Sequence, residues 1–244
     1  HTPSFTDWFC NWSSAEIAAK IYEGKTVLAK SHRSNINYSQ RRRGWMFRRT
    51  AGKHAKTLEI ADGTIFEFGD TKLRFSEPVF HGVKNTLLGW VLMVTIDCGD
   101  ERMLFASDVQ GPMYNPTVEL ILGEAPDLLI IGGPPLYLAG FKVDETHVQR
   151  GMENLEKLVK NIPTTILEHH ILRDERWREA CQPIFDTASK AGHTVLTAAE
   201  FLKKENNLLE YRRRELFEKE PPSRDFKKWM NLTVSERKQT RPPI

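Results

Sequence analysis

Leu104-Phe105-Ala106-Ser107-Asp108-Val109-Gln110-Gly111-Pro112 is the stretch on which the reading of the chain turns. It begins as an apolar strand continuing Met103 and ends in a small polar turn closed by Gly111 and Pro112. Asp108 therefore stands at the mouth of a strand. A lone Asp in such a place usually serves its turn, because the carboxylate accepts from nearby backbone N–H groups. Two other strand ends change that reading. Phe80-His81-Gly82 and Leu167-Glu168-His169-His170 put imidazoles in the same kind of position. Strand ends gathered on one sheet edge would set two nitrogens and a carboxylate around a metal ion, and such mixed donors suit zinc or another divalent transition metal. Spacing alone is a weak signal, since steps of 27 and 61 positions separate His81, Asp108 and His169.

The pattern changes across Asp108. Before it the chain reads mostly as antiparallel β. Thr26–Ala29 is a short strand, and Thr57–Ile60 and Thr64–Phe68 flank Ala61-Asp62-Gly63 as an expected hairpin. Lys72–Phe75 alternates, and Leu87–Ile96 reads as one long apolar strand returning through Asp97–Glu101 into Arg102–Ala106. After Asp108, helices and strands alternate. Helix is expected near Pro116–Ile121, over Thr146–Lys160 and over Asp174–Lys190, with buried strands at Asp127–Ile131, Thr164–Leu167 and Thr194–Thr197. Apolar strands covered by helices imply an α/β fold with sheets between helical layers. A helix is expected within Leu208–Glu220, and 221–244 reads as a weakly ordered basic tail.

The 244 residues can bury a substantial core. The formal net charge of +3 says little about partners. Cys10, Cys98 and Cys181 are widely separated, which favours reduced thiols in a cytoplasmic protein over a disulfide framework. None belongs to a Cys-x-x-Cys pair, which argues against a redox role. No apolar run approaches the roughly 20 residues of a membrane span, so no membrane partner is expected. His1 to Trp12 is loop-like, and a helix is expected to start at Ser13. Arg41-Arg42-Arg43-Gly44-Trp45-Met46-Phe47-Arg48-Arg49 surrounds aromatics with five arginines. It reads either as a helix with a solvated basic face or as a nucleic-acid contact built on Arg41, Arg42, Arg43, Arg48 and Arg49. His32, His54, His147 and His193 sit in polar, helical or turn surroundings where an ordinary structural role is preferred.

The motifs carry more than their spacing. His1-Thr2-Pro3, Asn11-Trp12-Ser13-Ser14, Asn35–Arg41, Phe80-His81-Gly82, Phe105–Pro112, Ile130–Pro135 and His169–Asp174 run from the first residue to near Leu202. Through them the chain resembles the C-terminal three quarters of a metallo-β-lactamase-superfamily protein, more narrowly a largely archaeal branch of that superfamily. The resemblance implies a four-layer αββα sandwich over 1–202, lacking its N-terminal strands, with a charged helix and tail at 203–244. It implies two divalent metal ions, zinc by expectation. His81 matches the later ligand His, and Asp108 matches the carboxylate bridging the ions. His169 or His170 matches the final His. His169 is preferred because it directly follows the strand and its acidic residue, which leaves His170 to orient a ligand or donate a proton. His1 would follow the His-x-His-x-Asp-His run of this branch, which places four metal-binding positions upstream of the sequence.

The implied activity is a metal-dependent hydrolase using a metal-activated water at a dinuclear site. Its substrate is open, with a phosphodiester or nucleic acid among the candidates, and so is a homo-oligomeric state. The alternative is a non-catalytic nucleic-acid-binding or scaffold protein that keeps the fold.

Overall fold

The computed structural model describes residues 20–243. The expected loop over 1–12, the helix start at Ser13 and Cys10 lie outside the described residues. The strands are β1 (Thr26–Ala29), β2 (Thr57–Ile60), β3 (Ile65–Phe68), β4 (Thr71–Phe75), β5 (Val79–Phe80), β6 (Trp90–Val91), β7 (Val94–Cys98), β8 (Glu101–Ala106), β9 (Leu128–Gly132), β10 (Thr164–Glu168) and β11 (Thr194–Thr197). The chain divides into two compact units, one joining residues up to Ile60 with those from Arg213 onward, the other being Ala61–Arg212.

In the first unit β1 and β2 pair in parallel, from Thr26 opposite Thr57 to Ala29 opposite Ile60. Between them lies α1 (Tyr38–Arg49). Its Asn37 cap accepts from the Gln40 N–H at 2.8 Å while the Gln40 side chain accepts from the Asn37 N–H, a reciprocal cap that closes the first turn. Phe47 is the buried residue of this helix and meets the Tyr22 ring edge-on at 5.3 Å.

The second unit holds a mixed sheet of seven strands in the order β11-β10-β9-β8-β7-β4-β3. β8 is the strand where direction changes. It is antiparallel to β7, with Val94 opposite Phe105, and parallel to β9, with Ala106 opposite Ile131. β10 and β11 continue the parallel half, so β8, β9 and β10 all end on one edge. The helices here are α2 (Asn115–Glu124), α3 (Glu145–Asn161), α4 (Trp177–Ala180), α5 (Gln182–Lys190) and α6 (Ala198–Phe201). α3 buries Val148, Gly151, Asn154, Leu155, Leu158 and Val159, a spacing of three and four that makes one inward stripe. From that stripe Leu155, Leu158 and Val159 join Leu104, Leu129, Ile131 and Leu167 in the core. Each such aliphatic side chain contributes about 1.5–3 kcal/mol through the area it removes from water. At the other end of β7 and β8, the Asp97 carboxylate is held by Arg74 and, at 2.6 Å, by Arg102 Nε.

Four expectations change. Thr57–Ile60 and the strand after Gly63 do not form a hairpin: β2 pairs with β1 and β3 pairs with β4. The Ala61–Thr64 turn exists, with the Thr64 N–H on the Ala61 carbonyl, but alternation cannot say which strand a turn leads to. Leu87–Ile96 is not one strand. The chain turns at Gly89 before β6, and a break at Leu92-Met93 then gives β6 and β7 to different sheets. Asp174–Lys190 splits into α4 and α5, with Pro183, which has no N–H for a preceding carbonyl, in the first turn of α5. The expected tail contains two helices, α8 (Arg224–Met230) and α9 (Val234–Gln239), after α7 (Arg213–Lys219). Ser223 and Thr233 cap α8 and α9, and the buried Trp229 donates from Nε1 to Thr240.

Candidate metal centre

β8 ends at Ala106, and the chain then enters a strained turn. Asp108, Gln110 and Gly111 have φ of 63°, 58° and 116°. Asp tolerates the left-handed region, but a Gln there costs about 1–3 kcal/mol, which surrounding contacts must offset. The Gly111 N–H donates to the Gly132 carbonyl at 2.9 Å, and the buried Asn154 of α3 donates from Nδ2 to the Pro112 carbonyl at 2.9 Å. Gly111 also lies against Gly151, where an added Cβ would come within 2.8 Å of the backbone. The turn is fixed from β9 on one side and α3 on the other, and it holds Asp108 at 7% exposure.

His81 follows β5, its N–H bonded to the Gly89 carbonyl at 3.0 Å. Gly82 beside it has φ 93°, and a Cβ there would meet the Gln110 side chain at 2.4 Å, so a glycine lets the two turns approach. His169 and His170 open a 3-10 helix, His169–Arg173, directly after β10. His169 has φ 63°, and the fully buried Ile171 packs where a side chain on Gly133 would stand.

The result is three imidazoles converging on one carboxylate oxygen. Asp108 Oδ1 lies 3.6 Å from His81 Nε2, 3.3 Å from His169 Nε2 and 3.8 Å from His170 Nε2. One donor atom each from His81, Asp108 and His170 falls within 4.8 Å of the others. Ligands held at about 2.0–2.2 Å from one tetrahedral ion stand roughly 3.3–3.6 Å apart. The Asp108–His81 and Asp108–His169 separations match that spacing and the Asp108–His170 separation is slightly longer, and the nitrogen–oxygen donor set suits a divalent ion. The expectation gave His169 to the metal and His170 the second role. In the structure both rings reach the same oxygen, and the compact group contains His170.

His170 is the more enclosed of the pair. Burial first, then the His169 ring and the Arg173 guanidinium, lowers its pKa to about 4. It is neutral at pH 7, and a ligand needs that free lone pair. On the ring's far side, Tyr137 Oη lies 3.1 Å from Nδ1, and Arg173 Nη1 donates to the same phenol oxygen at 3.3 Å. With a metal ion taking the Nε2 lone pair, Nδ1–H would donate to Tyr137, which would fix the tautomer. Tyr137 carried no signal in the sequence beyond following Gly-Gly-Pro-Pro at the same sheet edge. Glu168 reads in the sequence only as the acid after a strand, yet its Oε1 is buried with no hydrogen-bond partner among the described residues, and it lies over Gly132 next to Asp108. A buried carboxylate oxygen without a donor is costly unless a cation is near.

The remaining candidates fall elsewhere. Arg41, Arg42, Arg43, Arg48 and Arg49 are all exposed on α1, in the other unit. His193 is structural, its Nδ1 being 2.9 Å from the Val159 carbonyl. Cys98 and Cys181 are free thiols, the first exposed and the second buried. Among the described residues no helix is long and apolar enough to cross a membrane.

No family model matches the chain. It is 41% identical over 216 residues to a UPF0282 protein of Methanopyrus kandleri, covering 88% of this chain and 72% of that protein. A UPF0282 protein of Thermococcus sibiricus is 42% identical over 217 residues, with 88% and 68% covered. One of Pyrobaculum neutrophilum is 36% identical over 225 residues, with 91% and 72% covered. Among solved structures, the E377D mutant of CmlA β-hydroxylase overlaps 63% of this chain and 34% of its own, at a TM-score of 0.43 and 16% identity. Tm1679, described as a metal-dependent hydrolase of the β-lactamase superfamily, overlaps 73% and 70%, at 0.40 and 10%.

Proposed function

The chain belongs to the UPF0282 family of archaeal proteins, and on that premise we propose that it is a metal-dependent hydrolase of metallo-β-lactamase type acting on a phosphodiester. The observation that carries the proposal is the convergence of His81, His169 and His170 on the Asp108 carboxylate at one sheet edge. The motif resemblance supports the four-layer fold and a dinuclear site, with zinc as the metal. A divalent ion bound there would polarise a substrate oxygen and lower the pKa of a water.

The chain's own residues do the rest. His81 and His170 present imidazole lone pairs, and Asp108 supplies the negative charge shared among them. Tyr137 accepts from His170 Nδ1 and holds the ring. Arg173, 3.5 Å from that nitrogen, gives the rim a fixed positive charge, which suits an anionic ester over a neutral one. His169, the more exposed of the pair, is placed to move a proton.

The test is hydrolysis of a chromogenic phosphodiester and a neutral carboxylic ester by zinc-loaded protein. Turnover of the phosphodiester that disappears in Asp108→Ala is expected. Equal activity in that variant would remove the proposal.

A further inference from the structure

Charge is divided unevenly between the two units. The unit carrying α1 has 20 of the 35 lysines and arginines and only 9 of the 32 acids, whereas the unit carrying the His–Asp cluster has 15 against 23. The modest overall charge therefore hides a strongly basic unit and an acidic one.

Within the basic unit the arginines are ordered. At about 100° per residue, Arg48, Arg41, Tyr38, Trp45, Arg49 and Arg42 fall within about 120° of arc on α1. Tyr38 is 82% exposed and Trp45 48% exposed. The Arg49 guanidinium lies over the Trp45 ring at 4.5 Å. Phe47 projects from the opposite side and is buried, so the apolar side of the helix is already used by the fold. Arg43 falls about 100° beyond the edge of the basic arc.

We infer that this face of α1 is a binding surface for single-stranded nucleic acid. Guanidinium groups would neutralise successive phosphates, while Tyr38 and Trp45, about 10 Å apart along the axis, offer ring faces on which bases stack. A lipid surface needs an apolar face separate from the basic one, and here the rings are interleaved with the arginines. An acidic protein would need the charge but not the rings. The inference does not rest on the metal centre, because binding to α1 requires neither metal nor turnover.

The test is fluorescence anisotropy of a short labelled single-stranded oligonucleotide with the full chain, metal-free and in chelator, over a range of salt. Affinity should fall with salt along a log–log slope of about −3, as four phosphate contacts on a single strand require. Trp45→Ala should weaken binding about tenfold or more. Replacing Arg41, Arg42, Arg48 and Arg49 by Gln should flatten the salt response, while Arg43→Gln leaves affinity within about twofold. All these positions are exposed, and circular dichroism of each variant confirms folding. Salt-insensitive binding would overturn the inference, as would Trp45→Ala binding like the parent. Capture by vesicles containing anionic lipid, with no oligonucleotide binding, would overturn it in favour of a membrane surface.

Discussion

At the hairpin end of β8, charge is compensated in the ordinary way. Asp97 sits between Arg74 and Arg102, Arg74 reaches Glu124 at 2.6 Å, and the Arg102 N–H donates to Asp127 at 2.8 Å. At the other end of the same strand three imidazoles crowd Asp108, the backbone enters the left-handed region at Asp108 and Gln110, and His169 does the same across the edge. One end is arranged for stability, and the other keeps strain and crowded imidazoles that stability alone does not require. Strain that persists because its surroundings enforce it is a mark of a working site.

This contrast can be broken most forcefully at Gly111. Gly111→Ala would force a side chain into the Gly151 backbone at φ 116°, with no flexible neighbour to give way. A loss of about 3 kcal/mol or more is expected in denaturant unfolding, together with loss of metal binding. Next in size is Tyr137→Phe, which removes the acceptor for His170 Nδ1. Metal affinity should fall about 10- to 100-fold with the melting temperature of the chelated protein nearly unchanged. Asp97→Ala should do the reverse. It should lower stability by about 1 kcal/mol, a value kept small because Arg74 and Arg102 are partly exposed, and leave metal affinity alone.

The finest distinction is in acid, measured on metal-free protein. His170 has a depressed pKa in the folded state, so unfolding takes up a proton once pH falls below about 6.5, and stability declines down to about 4. Asp97 is also depressed, held by its hydrogen bond to Arg102 against the opposing effect of burial, with the Arg74 and Arg102 charges adding to it. Its contribution is intact above the unfolded value near 3.9 and is lost only as pH drops further. The site end should therefore weaken first and the hairpin end second. His170→Asn should erase the first decline, and Asp97→Asn the second.

Much of the scaffold could be read from residue order. Thr26–Ala29 is a strand as expected, though its parallel partner β2 was not; α3 differs from Thr146–Lys160 by one residue at each end, and within the seven-stranded sheet the change to parallel pairing comes at β8. Such features are local, set by period and by Gly or Pro at the ends. Partner choice was not legible, which is why the Ala61–Gly63 hairpin failed: a turn fixes direction but not the neighbour its strand finds. At the site, each of His81, Asp108, His169 and His170 ends a strand, and that much is visible in the sequence. Tyr137, Arg173 and the inward Glu168 were not, because their roles come from the angle at which β9 and β10 deliver them to one edge.

The central claim is that Asp108, His81 and His170 hold one divalent ion, and a cobalt titration followed in the visible spectrum addresses it directly. The account predicts saturable binding with the absorption of a low-symmetry nitrogen–oxygen site, lost in Asp108→Ala and in His170→Ala and retained in Asp97→Ala. Cobalt binding that is absent from the parent chain, or unchanged when Asp108 is removed, would contradict it.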